Sequence, residues 1–181
     1  MRNALLASLV LLSAPSPQPA AKQPTAKPPI KHEVVVDGHR VAVWQRKTSS
    51  ANAPRMLLIH GRTWSSLPNF DLRVPGEQRS FMDALSGAGL EVFAVDLRGY
   101  GATPRDATGF LTPDRAVADV IAVTTWIQQQ DPRKKTPYLF GMSRGAMIAA
   151  MAAQKHPEKI AGVVLLGFGF DPDARAAQGD A

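Results

Sequence analysis

Ser143 lies at the centre of Gly141-Met142-Ser143-Arg144-Gly145, which has the form G-x-S-x-G. The apolar segment Tyr138-Leu139-Phe140 precedes it, and Ala146-Met147-Ile148-Ala149-Ala150-Met151-Ala152-Ala153, a helix by composition, follows it. A serine on a sharp turn from strand to helix is forced into strained backbone angles. Side chains two positions either side would collide across the turn, so both flanks favour a residue without Cβ. The hydroxyl then stands exposed beside the unpaired N–H groups of a helix N-terminus. Such a site can make an oxyanion and hold it. A bare G-x-S-x-G arises by chance in roughly one chain in twenty of this length, so its context must carry the argument.

That context is a series of apolar runs separated by helices. His32 to Trp44 holds two β-branched runs around Asp37-Gly38, a hairpin signal. Met56-Leu57-Leu58-Ile59 is apolar without alternation, as suits a strand buried on both faces of a parallel sheet, and it ends in His60-Gly61. Glu77 to Ala88 carries Phe81, Met82 and Leu85 at helical spacing. Leu90 to Val95 is the next strand and delivers Asp96-Leu97-Arg98-Gly99-Tyr100-Gly101. Thr112-Pro113-Asp114 starts a helix with a hydroxyl cap, a first-turn proline and an acid facing the dipole, and that helix is predicted to reach about Gln129. The helix after Ser143 should run to about His156, and a last strand spans Ala161 to Leu166. The expectation is an α/β chain with a doubly wound, mostly parallel sheet. Strands at 56–60, 91–96, 137–142 and 162–167 should be neighbouring and central, with a hairpin from 33–44 at one edge.

Composition bounds the rest. The chain has 181 residues, 45% of them hydrophobic, enough for one core. Residues 1–14 read as a signal peptide or apolar leader: Met1-Arg2-Asn3, then nine apolar or small residues from Ala4 to Leu12, too few to cross a bilayer. A cleaved leader implies a secreted or periplasmic protein; a frayed leader implies a cytoplasmic one. Residues 15–30 form a Pro-rich linker, with six prolines in the fifteen residues from Pro15 to Pro29. The globular domain is expected over 31–171 and a low-complexity tail over 172–181. Absence of cysteine excludes disulfides, thiolate catalysis and cysteine-based zinc sites. The net charge of +6 is scattered, and its densest cluster, Arg133-Lys134-Lys135, has no interleaved aromatics, so a solvated loop is read rather than a nucleic-acid surface. No cofactor, metal site or membrane span is expected, and the sequence leaves the oligomeric state open.

Ile59-His60-Gly61, Asp96-Leu97-Arg98-Gly99-Tyr100-Gly101 and Gly141-Met142-Ser143-Arg144-Gly145 occur in order and spacing that resemble the α/β-hydrolase superfamily. The likeness is strongest to its esterase, haloperoxidase and epoxide-hydrolase-like branch and covers about Glu33 to Phe170. It implies that Ser143 is the nucleophile and that the backbone N–H of Arg144 is one oxyanion donor. The second donor would come from the loop after His60-Gly61, with Arg62 the first candidate and Thr63 the next. Each such donor contributes roughly 2.7–4 kcal/mol in comparable sites. Serine, where other branches place aspartate, implies acyl transfer on a small-molecule ester rather than dehalogenase or epoxide-hydrolase chemistry. The resemblance also gives His60 a structural role in holding the oxyanion loop.

Asp96 and Arg98 are expected to pair or to cap their turn. Trp64 either lines an acyl pocket or simply packs, and Met142 and Met147 fill core. His156 should meet the C-terminal dipole of the helix that follows Ser143.

The family's order of catalytic groups is Ser, then Asp or Glu, then His. After Ser143 this chain has one histidine, His156, about 20 Å away along the helix that follows the serine. Asp171 or Asp173 could supply the acid. The expectation is therefore a shortened hydrolase with nucleophile and oxyanion hole but no base, its activity impaired. A non-catalytic domain that binds a ligand or partner in the same crevice is the alternative.

Overall fold

Asp37 and Gly38 both adopt positive φ, 49° and 75°, the geometry that closes a two-residue hairpin. They join β1 (Ile30–Val36) to β2 (His39–Arg46), paired antiparallel from Ile30–Gln45 to Val36–His39. The computed structural model describes residues 27–131 and 135–169. The leader, most of the Pro-rich segment, Arg133, Lys134, Asp171, Asp173 and the tail lie outside those residues. Strand pairing begins at Ile30, one residue before the expected boundary.

Beyond the hairpin come β3 (Arg55–Ile59), β4 (Glu91–Val95), β5 (Tyr138–Met142) and β6 (Val163–Leu166). The described residues form a six-stranded sheet in the order β1-β2-β4-β3-β5-β6. β2 meets β4 antiparallel, and all later pairings are parallel. One expectation needs correction. Among the described residues β6 borders the sheet rather than lying inside it, and Val163, Val164 and Leu166 are accordingly exposed.

Unalternating apolar strands are explained by the two cores. Leu57, Ile59, Phe93, Val95 and Leu139 point to one face, where they pack against α3 (Pro113–Gln130) and α4 (Arg144–Lys155). Leu58, Val92, Ala94 and Phe140 point to the other, with Phe70 and Met82 from α1 (Ser66–Phe70) and α2 (Phe81–Gly87). Successive strand residues face opposite ways, so each strand must be apolar throughout. Truncating a fully buried Leu57 to Ala removes about 2–5 kcal/mol.

Helix ends follow local chemistry. Thr112 caps α3 as expected, its hydroxyl accepting from the Arg115 N–H at 3.2 Å. α2 starts at Phe81 rather than Glu77, because Ser80 accepts the Asp83 N–H at 3.0 Å while Glu77 pairs with Val74 in an isolated bridge. No described helix is long and apolar enough to cross a membrane.

Candidate active site

Parallel strands β3, β4 and β5 release their chains at one edge of the sheet, and the candidate residues gather there. Ser143, between β5 and α4, has φ 53° and ψ −115°, a conformation open without strain only to glycine. Its flanking glycines are required by space. A Cβ on Gly141 would lie 2.3 Å from the Gly145 carbonyl oxygen and 2.5 Å from Ala146 Cα, a collision across the turn. Gly145 is glycine for a different reason from the one expected: its Cβ would lie 2.1 Å from the Ile59 carbonyl oxygen, so the obstacle is β3. The Ser143 N–H donates to the Leu166 carbonyl at 2.8 Å, and its own carbonyl accepts from Ala146 and Met147. Backbone contacts thus fix the turn, while the exposed hydroxyl bonds to no described residue.

Arg144 opens α4, where an N–H has no partner in the helix. From β3, Gly61 runs against the turn; a Cβ there would stand 3.5 Å from Ser143 Cβ. Arg62 follows directly. Thr63, at φ 69°, turns its hydroxyl back onto the Arg62 carbonyl at 2.6 Å. Arg62, Thr63 and Arg144 share the wall of a cavity of about 600 Å³, together with Arg98, Tyr100, Arg105, Asp106, Phe110 and Leu111. Trp64 is absent from that wall and is 55% exposed.

His60 is fully buried beneath this edge. Its Nε2 accepts from the Leu97 N–H at 3.1 Å, so Nδ1 carries the proton and donates to the Gly61 carbonyl at 2.8 Å. Burial pushes its pKa below the ordinary histidine value, with the nearby Arg144 charge acting in the same direction. A neutral ring with both nitrogens engaged ties the exits of β3 and β4 together. It has no lone pair left to take a proton from Ser143.

Asp96 caps its turn but does not pair with Arg98. Its carboxylate accepts from the Ser66 N–H at 2.8 Å, Trp44 Nε1 at 2.9 Å and the Ala102 N–H at 2.9 Å. Arg98 forks instead onto Asp119 with two bonds of 2.7 Å, and that pairing raises its pKa further. Neither partner was evident from sequence, since Trp44 and Asp119 lie 52 and 21 residues away. His156 ends α4, its N–H donating to the Ala152 carbonyl, at the opposite end of the helix from Ser143. Met142 and Met147 pack against the two cores as expected. No cluster of three or more potential metal ligands occurs among the described residues.

A mostly parallel sheet wrapped by helices, with a strained serine at a strand-to-helix turn, defines an α/β-hydrolase fold. Residues 73–179 match the family described as serine aminopeptidase, S33, and the chain belongs to that family. It is 30% identical over 156 residues to an uncharacterised protein found in two strains of Mycobacterium tuberculosis, covering 82% of this chain and 49% of that protein. The chain thus spans about half the length of the curated relatives it matches. Among solved structures, an epoxide hydrolase from an endophytic Streptomyces superposes with a TM-score of 0.62 at 27% identity, covering 86% of this chain and 44% of the other. An epoxide hydrolase from Vigna radiata gives a TM-score of 0.62 at 24% identity, over 83% of this chain and 46% of the other, a likeness of fold.

Proposed function

We propose that this chain carries the nucleophile and the oxyanion-stabilising part of a serine hydrolase acting on carboxylic esters or related acyl bonds of small molecules. The observation that carries the reading is Ser143 itself: an exposed hydroxyl that bonds to no described residue, held at positive φ on the N-terminus of α4. In the proposed reaction, Ser143 Oγ bonds to the substrate carbonyl carbon as the C=O π pair moves onto oxygen. The N–H groups of Arg144 and Arg62 would receive that oxyanion. Collapse of the tetrahedral adduct expels the alcohol and leaves an acyl-serine for water to cleave.

The serine also separates this reading from the epoxide hydrolases that share the fold. An alcohol opening an epoxide would leave an ether, which water does not cleave under mild conditions. An acyl-serine, in contrast, is an ester and turns over.

As the C–O bond forms, the Oγ proton passes to hydroxide or water, and water returns a proton to the departing alkoxide, since no described imidazole or carboxylate contacts Oγ. His60 is committed to structure. An alcohol without a base is a poor nucleophile, and loss of one member of such a triad costs several powers of ten in rate. With no base beside Ser143 among the described residues, the second reading is a non-catalytic domain that binds its ligand in the crevice.

A fluorophosphonate probe tests the first reading, because its phosphorus takes up the serine oxygen and releases fluoride. Peptide mapping should find the adduct on Ser143, formed slowly, and none on Ser143→Ala. Hydrolysis of activated short-chain esters should barely exceed background. Folded protein with no adduct on Ser143 after prolonged exposure would favour the non-catalytic reading.

A further inference from the structure

The cavity next to the serine turn is lined by Arg62 and by Arg144, the residue after Ser143, with Ser143 itself outside the lining, and it holds more positive charge than acyl transfer requires. Four guanidinium groups, Arg62, Arg98, Arg105 and Arg144, share its wall with one carboxylate, Asp106. Two of these five groups are already engaged. Arg98 is bound by the buried Asp119, and Asp106 lies 3.3 Å from Arg98 and 3.1 Å from Arg115. Arg62, Arg105 and Arg144 have no ion pair among the described residues.

One of those three is held in position by a hydrogen bond, and a second lies over a fixed loop. Arg144 Nη2 donates to the Leu111 carbonyl at 2.8 Å, which fixes the side chain without neutralising it. The Arg105 stem lies across Gly99, where a Cβ would stand 3.0 Å from Arg105 Cγ. The loop beneath is clamped, since Pro104 O accepts from the Gly99 N–H at 3.1 Å and from His39 Nε2 at 3.0 Å. Phe110 and Leu111 add an apolar wall. A guanidinium matches a planar or tetrahedral oxyanion through paired N–H donors, and charge on both sides strengthens each bond.

We propose that this crevice selects acyl substrates whose chain ends in an oxyanion, a carboxylate or a phosphoryl group. The reacting carbonyl sits at Ser143 and the anionic end lies among Arg62, Arg105 and Arg144. This substrate class rests on Ser143 being the reacting residue. A neutral ester of the same length leaves three cations facing its apolar end. An anionic one is drawn in by the field of the site and held by it, less so as salt rises.

Binding is measured on Ser143→Ala, so that no probe is consumed, by NMR titration at low salt. The probes are monomethyl glutarate, its neutral dimethyl ester, and methyl 3-phosphonopropionate. At least one anionic probe should bind about tenfold more tightly than the diester, and the stronger of the two identifies the oxyanion. Arg62→Gln with Arg105→Gln should bring that probe down to the level of the diester, whereas Arg105→Lys, which keeps the charge, should retain most of the preference. Both arginines are exposed, and an unchanged melting transition will show that the variants fold. Equal binding of diester and both anions, or an anion preference untouched by the double variant, overturns the inference. Its failure is distinct from failure of the serine reading. An adduct on Ser143 without anion preference sinks this proposal alone, and anion preference without an adduct sinks the nucleophile.

Discussion

The exits of β4 and β5 lie on the same edge of one sheet and treat their polar groups in opposite ways. After β4, Asp96 is buried and receives three N–H donors, the Thr103 hydroxyl donates to its carbonyl, and Arg98 forks onto Asp119. After β5, the serine is exposed, its backbone is strained, and its hydroxyl bonds to no described residue. One exit is built to hold the loops. The other is held by the end of β3, by α4 and by β6 so that one side chain stays free of the described residues. Polar groups that make structure use their lone pairs and protons on it; a group kept for chemistry is fixed through its backbone. By that criterion His60, though the histidine nearest the serine's loop, belongs with the first exit.

The contrast can be broken at four places. Asp96→Ala should have the largest effect: it strands three donors in a buried setting and should cost about 4 kcal/mol or more, read by chemical denaturation. A cost below about 1 kcal/mol would mean that the β4 exit is not the brace described. Gly145→Ala should follow, at about 3 kcal/mol, because its methyl meets β3 backbone that a side-chain rotation cannot clear. A neutral result there would show that α4 can lift from β3.

His60 sharpens the comparison through pH. Its folded pKa lies below the unfolded one, so the unfolded chain binds the proton more readily. The stabilisation is complete above about pH 6.5 and declines as pH falls below it, at up to about 1.4 kcal/mol per pH unit. His60→Gln should flatten that part of the profile, and a wild-type profile that is flat from pH 7 to 5 would contradict the buried neutral ring. The smallest effect is expected at the serine. Ser143→Gly should stabilise the fold by about 1 kcal/mol, because glycine accepts the turn's angles without strain. A destabilised Ser143→Gly would mean that the hydroxyl does structural work after all.

The sequence revealed most of this where physics is local. Parallel strands buried on both faces show as apolar runs, and Leu57-Leu58-Ile59 could be read for that reason. Thr112 and Pro113 announce α3 through capping alone. The serine turn was legible because its glycines cannot be replaced. What stayed hidden depends on distant partners. α1 has five residues, contains Pro68 and lacks a side-chain cap; Ser66 near its start is anchored by Asp96, thirty residues on. The obstacle to a side chain at Gly145 is a strand more than eighty residues earlier. The arginine-lined cavity draws on three separate segments of the chain, so no window of sequence displays it.

The proposal that Ser143 is a nucleophile, with no base beside it among the described residues, is tested most directly by the pH dependence of its phosphonylation. The adduct should form on Ser143, with a rate that climbs about tenfold per pH unit from pH 6 to 9, as expected when hydroxide rather than a side chain removes the proton. A rate that levels off near neutral pH, and loses that plateau in His60→Gln, would show that an imidazole serves the serine and would contradict the site described.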